Sequence, residues 1–237
     1  MRYIAIVAAV AVLSACTPSR PRPNAVPQSA NPSAIIAADI AFNRLAQEKG
    51  QWTAFRDTAA KQATMFVPEV VDAQTWLKGR ADPAEWVKWQ SHKAFMSCDG
   101  KTGVTTGAWQ EQYGKTGYFT TVWFWVEKGK PDPRLPANSM GEGEWKWVLD
   151  HTDTLPTPRP TPEIIETKVA SCKGRANAPI NAPDEGVQMK SMFSRDQSLN
   201  WEWQMRPDKS RTVIVRLWNG TDFDDVLTDR VAKPADM

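Results

Sequence analysis

The chain is short of the residues from which reactive centres are usually built. Its 237 residues include two histidines, His92 and His151, three cysteines and three tyrosines. Metal sites need histidine, cysteine or carboxylate at fixed spacing, and no His-Glu-x-x-His, Cys-x-x-Cys or EF-hand loop occurs. Asp222, Asp224 and Asp225 crowd one turn, but they lack the alternating ligands and closing glutamate of a calcium loop, so they read as solvated charges. Neither a metal nor a cofactor is expected. A phosphate cradle is missing too, because Gly141-Glu142-Gly143 has no third glycine, and Ser97 and Ser139 lack a nucleophile-elbow context. An excess of one charge is lacking: 29 basic residues face 27 acidic ones, which gives no field for nucleic acid. Hydrophobic content of 41% with 24% charge excludes a disordered chain, a collagen-like repeat and a polytopic membrane protein.

What is present begins with an address. Arg2 precedes an apolar stretch, Ile4 to Leu13, that is shorter than the roughly 20 residues of a spanning helix but suits a signal segment. It closes on Leu13-Ser14-Ala15-Cys16. This motif resembles the lipobox of bacterial lipoproteins, which implies cleavage before Cys16, diacylglycerol on its sulfur and the membrane as a partner through that anchor. Thr17, where an aspartate would imply inner-membrane retention, implies the periplasmic face of the outer membrane. An ordinary secretory signal with a chance cysteine is the plainer alternative. Residues 17–33 carry five prolines, at 18, 21, 23, 27 and 32, and read as an extended tether of about 3.1 Å per residue. Loss of the signal removes one charge, Arg2, and leaves 28 − 27 = +1. Cys98 and Cys172 then remain in an oxidising compartment, either as a disulfide or as two separately buried thiols.

Periodicity organises the rest. A helix is expected over 34–49, with Ile35, Ala38, Ala41, Phe42 and Leu45 on one stripe and Asp39, Asn43 and Glu48 off it. A short helix over 51–60, strands at 63–67 and 70–71, and short helices over 74–78 and 83–90 follow. The last of these has Asp82 ahead of Pro83, and Trp86 and Trp89 on one side. From His92 the period becomes two, giving strands at 92–98, 104–112, 117–127 and 144–150, with Asp99–Gly103 as a hairpin turn. The order implies an α+β fold with helices on one face of a curved antiparallel sheet. Beyond prolines 156, 158, 160 and 162 come a strand at 166–172, a polar loop at 175–186 and a three-strand meander at 199–205, 211–218 and 223–231. A small antiparallel meander needs a surface for its apolar face, so it is expected to pack on the first sheet.

The order of elements, with Ala63-Thr64-Met65-Phe66-Val67-Pro68, the Cys98-Asp99-Gly100 turn into Val104-Thr105-Thr106-Gly107-Ala108-Trp109, and Trp145-Lys146-Trp147-Val148-Leu149-Asp150-His151, resembles the nuclear-transport-factor-2-like cone fold. The SnoaL-like and ketosteroid-isomerase-like bacterial members are the most similar. The chain then divides into a signal peptide (1–15), an anchor and tether (16–33), the cone domain (34–157) and a β-rich extension (158–237). The resemblance implies a largely apolar pocket and a sheet through which two copies could form a homodimer.

Isomerases of that group use a carboxylate base near the early strand and a tyrosine on the first helix. Residues 63–67 hold no Asp or Glu and residues 34–49 no tyrosine, so that scheme is vacant. The remaining acid–base candidates are Asp150, His151 and Asp153, with His92, Tyr113 and Tyr118 as neighbours. Asp150 and His151 are adjacent on a strand, so they point to opposite faces and form no dyad. A structural histidine at a strand end is the favoured reading of His151. The tryptophan pairs 123/125, 145/147 and 201/203 each share a face, and cross-strand packing is favoured over ligand stacking. Core and pocket wall are expected to draw on Trp52, Phe55, Phe66, Trp76, Trp86, Trp89, Tyr118 and Trp123, with Trp52, Phe55, Trp86, Trp89, Tyr118 and Trp123 as the ligand-binding candidates. The expected function is binding of a small apolar or amphipathic ligand without turnover by an envelope protein. An isomerase-, dehydratase- or hydrolase-like enzyme using Asp150 and His151, and a structural component of envelope assembly, are the alternatives.

Overall fold

The computed structural model describes residues 30–129, 141–174, 176 and 182–234. The expectations for the signal segment, Cys16 and most of the tether lie outside these residues. Helix α1, Ser33–Lys49, buries Ile35, Asp39, Phe42 and Ala46, a four-three-four spacing that traces one helical stripe. The stripe is rotated from the expected one: Ala41 is exposed, and Asp39 is 1% exposed. Hydroxyl donors on the sheet meet the Asp39 carboxylate, so burial wins over its polarity. Gly50, at φ 101°, turns the chain into α2, Gln51–Thr58. The Thr53 amide and hydroxyl of that first turn both donate to Asp82, at 2.9 and 2.6 Å.

This use of Asp82 bears on one correction. Residues 83–90 form no helix; β3 begins at Val87 and runs to Met96. Alternation from Val87 through Trp89 to Ser91 lets these residues face the helices, and pairing with the next strand outweighs the helix-starting proline. The preceding elements are β1 (Ala59–Phe66), β2 (Val70–Asp72) and α3 (Ala73–Leu77), which Asp72 caps by accepting from the Thr75 amide. The following strands are β4 (Thr102–Glu111), β5 (Thr116–Glu127), β6 (Gly143–Leu155) and β7 (Glu166–Val169).

These strands form a seven-stranded sheet in the order β2-β1-β6-β5-β4-β3-β7. The fold is α+β, but this sheet is mixed and not wholly antiparallel, because β1 runs parallel to β6 and β7 parallel to β3. Strand β7 also blurs the expected boundary at 157: the extension contributes a strand to the first sheet. The second sheet, β11-β10-β9-β8, is antiparallel and comprises β8 (Gln188–Phe193), β9 (Leu199–Met205), β10 (Arg211–Trp218) and β11 (Phe223–Val231). It has four strands where three were expected. Gln-Met-Lys-Ser-Met-Phe has one aromatic and no β-branched residue, so β8 carries a weak strand signal.

The first sheet is covered on both faces. Phe42, Ala46, Ala54 and Phe55 of the helices pack on Met65, Ala94, Met96, Trp123 and Trp147. On the other face Phe66, Phe95, Val104, Val122 and Leu149 meet Leu199, Trp201, Trp203, Val213 and Val215 of the second sheet. The extension therefore covers the face of the first sheet opposite the helices. Cys98 and Cys172 are joined by a disulfide. Beside it the Cys98 amide donates to Ser198 Oγ, the Asp99 amide to Asp196 and the Ser171 amide to the Trp218 carbonyl, each crossing between the sheets.

Candidate functional site

A cavity of about 160 Å³ lies between the first two helices and the sheet. Phe42 of α1 and Phe55 of α2 form its roof, and Val87, Trp89, Trp109, Phe119 and Thr121 line its floor and sides. Asp150 and Thr152 of β6 close one wall, and Gln51 and Glu111 complete the lining. The side chains of β3 to β6 converge because alternate residues share a face. Trp109 is held flat by Gly117 on the neighbouring strand, where a Cβ would collide with the indole, while its Nε1 donates to the Tyr118 carbonyl at 3.0 Å. Helix α1 is fixed over the cavity by side-chain amides: Asn43 donates to the Trp89 carbonyl at 2.9 Å and Gln47 to the Val87 carbonyl at 2.7 Å.

Two carboxyl groups sit on this face. Asp150 is 8% exposed and accepts from the Thr121 hydroxyl at 2.8 Å. Burial pushes its pKa up to about 7, the Thr121 bond opposes this, and the like charge of Asp39 adds to it. Asp39 is pushed up to about 6 by burial, against hydrogen bonds from Ser91 and Thr105. Thr105 in turn accepts from Trp123 Nε1 at 2.9 Å, which links the core tryptophan to the helix carboxylate. No lysine, arginine or histidine lines the cavity among the described residues.

The sequence candidates are divided between the two faces. Phe55, Trp89 and Asp150 meet at the cavity. Trp123 lies deeper in the helix-side core, and Trp52 packs edge-on against Phe55 and Trp76. Trp86 sits at the surface under the Lys88 ammonium. Tyr118 and His151 face the second sheet instead, since each alternates with a cavity residue, Phe119 or Asp150. His151 is not at a strand end: β6 continues to Leu155, and the ring is wholly buried against Phe66 and Tyr118. Its Nδ1 is 3.7 Å from Asp229, beyond hydrogen-bond distance, and both ring nitrogens lack a partner among the described residues. Burial holds its pKa down, against the nearby Asp229 carboxylate. Burial also raises the Tyr118 phenol, helped by Asp229 and Asp153. His92 is the unpaired residue of a bulge in β3, held down by partial burial and by Arg159. Tyr113 is exposed. The Asp150–His151 neighbourhood is therefore two separate environments.

Sequence reasoning missed Phe42, Trp109, Phe119, Thr121 and Asp39. Trp109 could have been found: Gly117 interrupts an otherwise bulky strand, a pattern that marks close approach of a neighbouring group, here the Trp109 indole. Asp39 carried no such signal. Among the described residues no cluster of His, Cys, Asp and Glu could hold a metal ion, and no helix is long and apolar enough to cross a membrane.

No family model matches the chain, and comparison with curated proteins finds no match. One solved structure, from Novosphingobium aromaticivorans and provisionally described as an aromatic ring hydroxylase, is similar over 54% of this chain and 90% of its own. It has 13% identity and a TM-score of 0.33, a likeness too slight to carry an argument about fold or activity.

Proposed function

We propose that this is a lipid-anchored envelope protein whose helix-side cavity binds a small amphipathic molecule without turnover. The observation that carries the binding reading is the cavity itself, a ring-lined space with one buried ionisable group, Asp150, in its wall. Its volume is close to the roughly 150 Å³ of an engineered cavity that accepts benzene, so the ligand, or the part of it that enters, has about the bulk of one ring. The relationship to the cone-fold group is part of the proposal. It is supported by the succession α1-α2-β1-β2-α3 ahead of four long strands, with β1 lying beside β6. The anchor rests on Arg2, the apolar stretch Ile4 to Leu13 and the Leu13-Ser14-Ala15-Cys16 that closes it.

Titration of the full-length protein in detergent with small ring-sized probes, followed by tryptophan fluorescence, tests the binding. Quenching that is saturable in wild type and lost in Phe119→Ala supports the cavity, and absence of saturable binding across such a set sinks it. Labelled palmitate should enter wild type and not Cys16→Ala; label persisting in the variant would remove the anchor. One observation favours conversion of the ligand: the Asp150 carboxyl, near 7, can hold or release a proton at neutral pH. Product formed from a bound probe by wild type and not by Asp150→Asn would select that second reading.

A further inference from the structure

The charge of the cavity narrows the ligand class. This inference rests on the binding reading above. Fully buried aspartates are normally paired with a cation, and here two of them, Asp39 and Asp150, occupy the helix-side face with only hydroxyl and indole groups about them. Glu111, at the half-exposed side of the same space, is already paired with Lys115 at 3.4 Å, so the uncompensated charge is that of the two aspartates. The basic groups His151 and Arg211 lie across the sheet, where the Arg211 guanidinium is over the Phe66 ring and donates to the Thr152 carbonyl. The remaining lining is dominated by rings. Phe42, Phe55, Trp89, Trp109 and Phe119 come from five different elements, so their rings approach the space from several sides. A ring face is the negative end of its quadrupole, and an aromatic enclosure with a carboxylate is the arrangement that desolvates and holds an alkylated ammonium.

We infer that the cavity binds a small organic cation, an ammonium carrying methyl or short alkyl groups, with Asp150 as its counter-ion and the aromatic rings around its alkyl surface. An unsubstituted ammonium would bring three donors that this lining, with few free acceptors, cannot satisfy. Alkyl groups remove that demand and fill the volume with apolar surface. The cation also supplies the positive charge that the two buried carboxylates lack. Asp39 of α1 is the charged group that acts on Asp150, and it is acidic; Glu111 of β4 lines the same cavity at its rim, where the exposed Lys115 ammonium pairs with it at 3.4 Å. Affinity for the cation therefore rises with pH as Asp150 loses its proton.

Three probes of one shape test this on the full-length protein: choline, its uncharged isostere 3,3-dimethylbutan-1-ol, and the anion 3,3-dimethylbutanoate. Calorimetry should show choline bound about 30-fold more tightly than the alcohol, and the anion not bound. Asp150→Asn should reduce that preference by about tenfold. Trp109→Leu provides an independent variant, which should weaken choline more than the alcohol through loss of a ring face. Equal affinity for choline and the alcohol would overturn the cation and leave the binding reading intact. Absence of binding by all three would remove both, and preference for the anion would reverse the charge assignment. Two sources of the cation are separated by competition. Displacement of bound choline by phosphatidylcholine vesicles, and not by phosphatidylglycerol vesicles, assigns the site to a lipid headgroup. Displacement by neither assigns it to a free solute.

Discussion

Asp150 and His151 are consecutive, both buried, and opposite in their response to acid. The native state holds the Asp150 carboxyl protonated up to about 7, whereas the unfolded chain releases that proton near 3.8. Its contribution to stability is full below the unfolded value and is lost as pH rises through 7. Asp150→Asn should therefore be more stable than wild type at pH 8 by on the order of 3 kcal/mol, and by less than half of that at pH 5, in urea melts at the two pH values. A variant destabilised at pH 8 would show that the carboxylate has a cationic partner in the free protein. His151 behaves in the reverse sense. The native state keeps its imidazole neutral below the ordinary value of 6.5, where the unfolded chain takes up a proton. Its contribution is full above 6.5 and declines on acidification until the lower native value is reached, with a slope of at most about 1.4 kcal/mol per pH unit. His151→Phe keeps the ring contacts with Phe66 and Tyr118 and removes two nitrogens without hydrogen-bond partners, one of them 3.7 Å from Asp229. Melting temperatures should show its advantage over wild type widening from pH 7.5 to 5.5; a constant difference would place the titration elsewhere.

Among the elements, the joins between them matter as much as the strands. Asp196, in the turn from β8 to β9, accepts from the Ser194 and Ser198 hydroxyls and the Ser198 amide, and reaches across to the Asp99 amide. It thereby shapes one turn and holds a second. The carboxylate is solvent-accessible, so water replaces part of what is lost, and Asp196→Ala should cost about 1–2 kcal/mol. The amides of Cys98 and Asp99 should then exchange hydrogen faster while those of β5 remain protected, and uniform acceleration would mean that the turn is not a separate unit. Strands rich in β-branched and aromatic residues, such as β4 and β5, were legible in the sequence to within two residues. Those whose state depends on distant partners were not. Asp82 reads as the start of a helix until Thr53 is known to lie beside it, and β8 has no periodic signal and exists because β9 pairs with it. The site was legible in the same measure. Phe55 and Trp89 were named from helix and aromatic patterns, but Asp39 is inward only because Ser91 and Thr105 happen to face it from the sheet.

At the scale of the whole molecule, the Cys98–Cys172 bond closes a loop of 172 − 98 = 74 steps and secures the start of the extension to the first sheet. Loop entropy alone would make it worth about 4 kcal/mol. The apolar contact between the two sheets remains without it, so Cys98→Ser combined with Cys172→Ser should lower stability by about 2–4 kcal/mol and leave one cooperative transition. Two separated transitions in calorimetry would mean that the bond, and not the packing, makes the sheets one unit. Non-reduced protein should have a mass two hydrogens below that of the dithiol form.

Helix α1 is the first described element, it roofs the cavity with Phe42, and two amide bonds from Asn43 and Gln47 attach it to the backbone of β3. Any pull exerted on the chain through residues 1–29 arrives at this helix before it reaches either sheet. The load falls on Ile35, Asp39, Phe42 and the two amides, while the strands, their hydrogen bonds lying further along the chain, are spared until the helix gives way. Under the proposed binding, a molecule in the cavity would brace this roof, and a pull strong enough to lift the helix would let that molecule go.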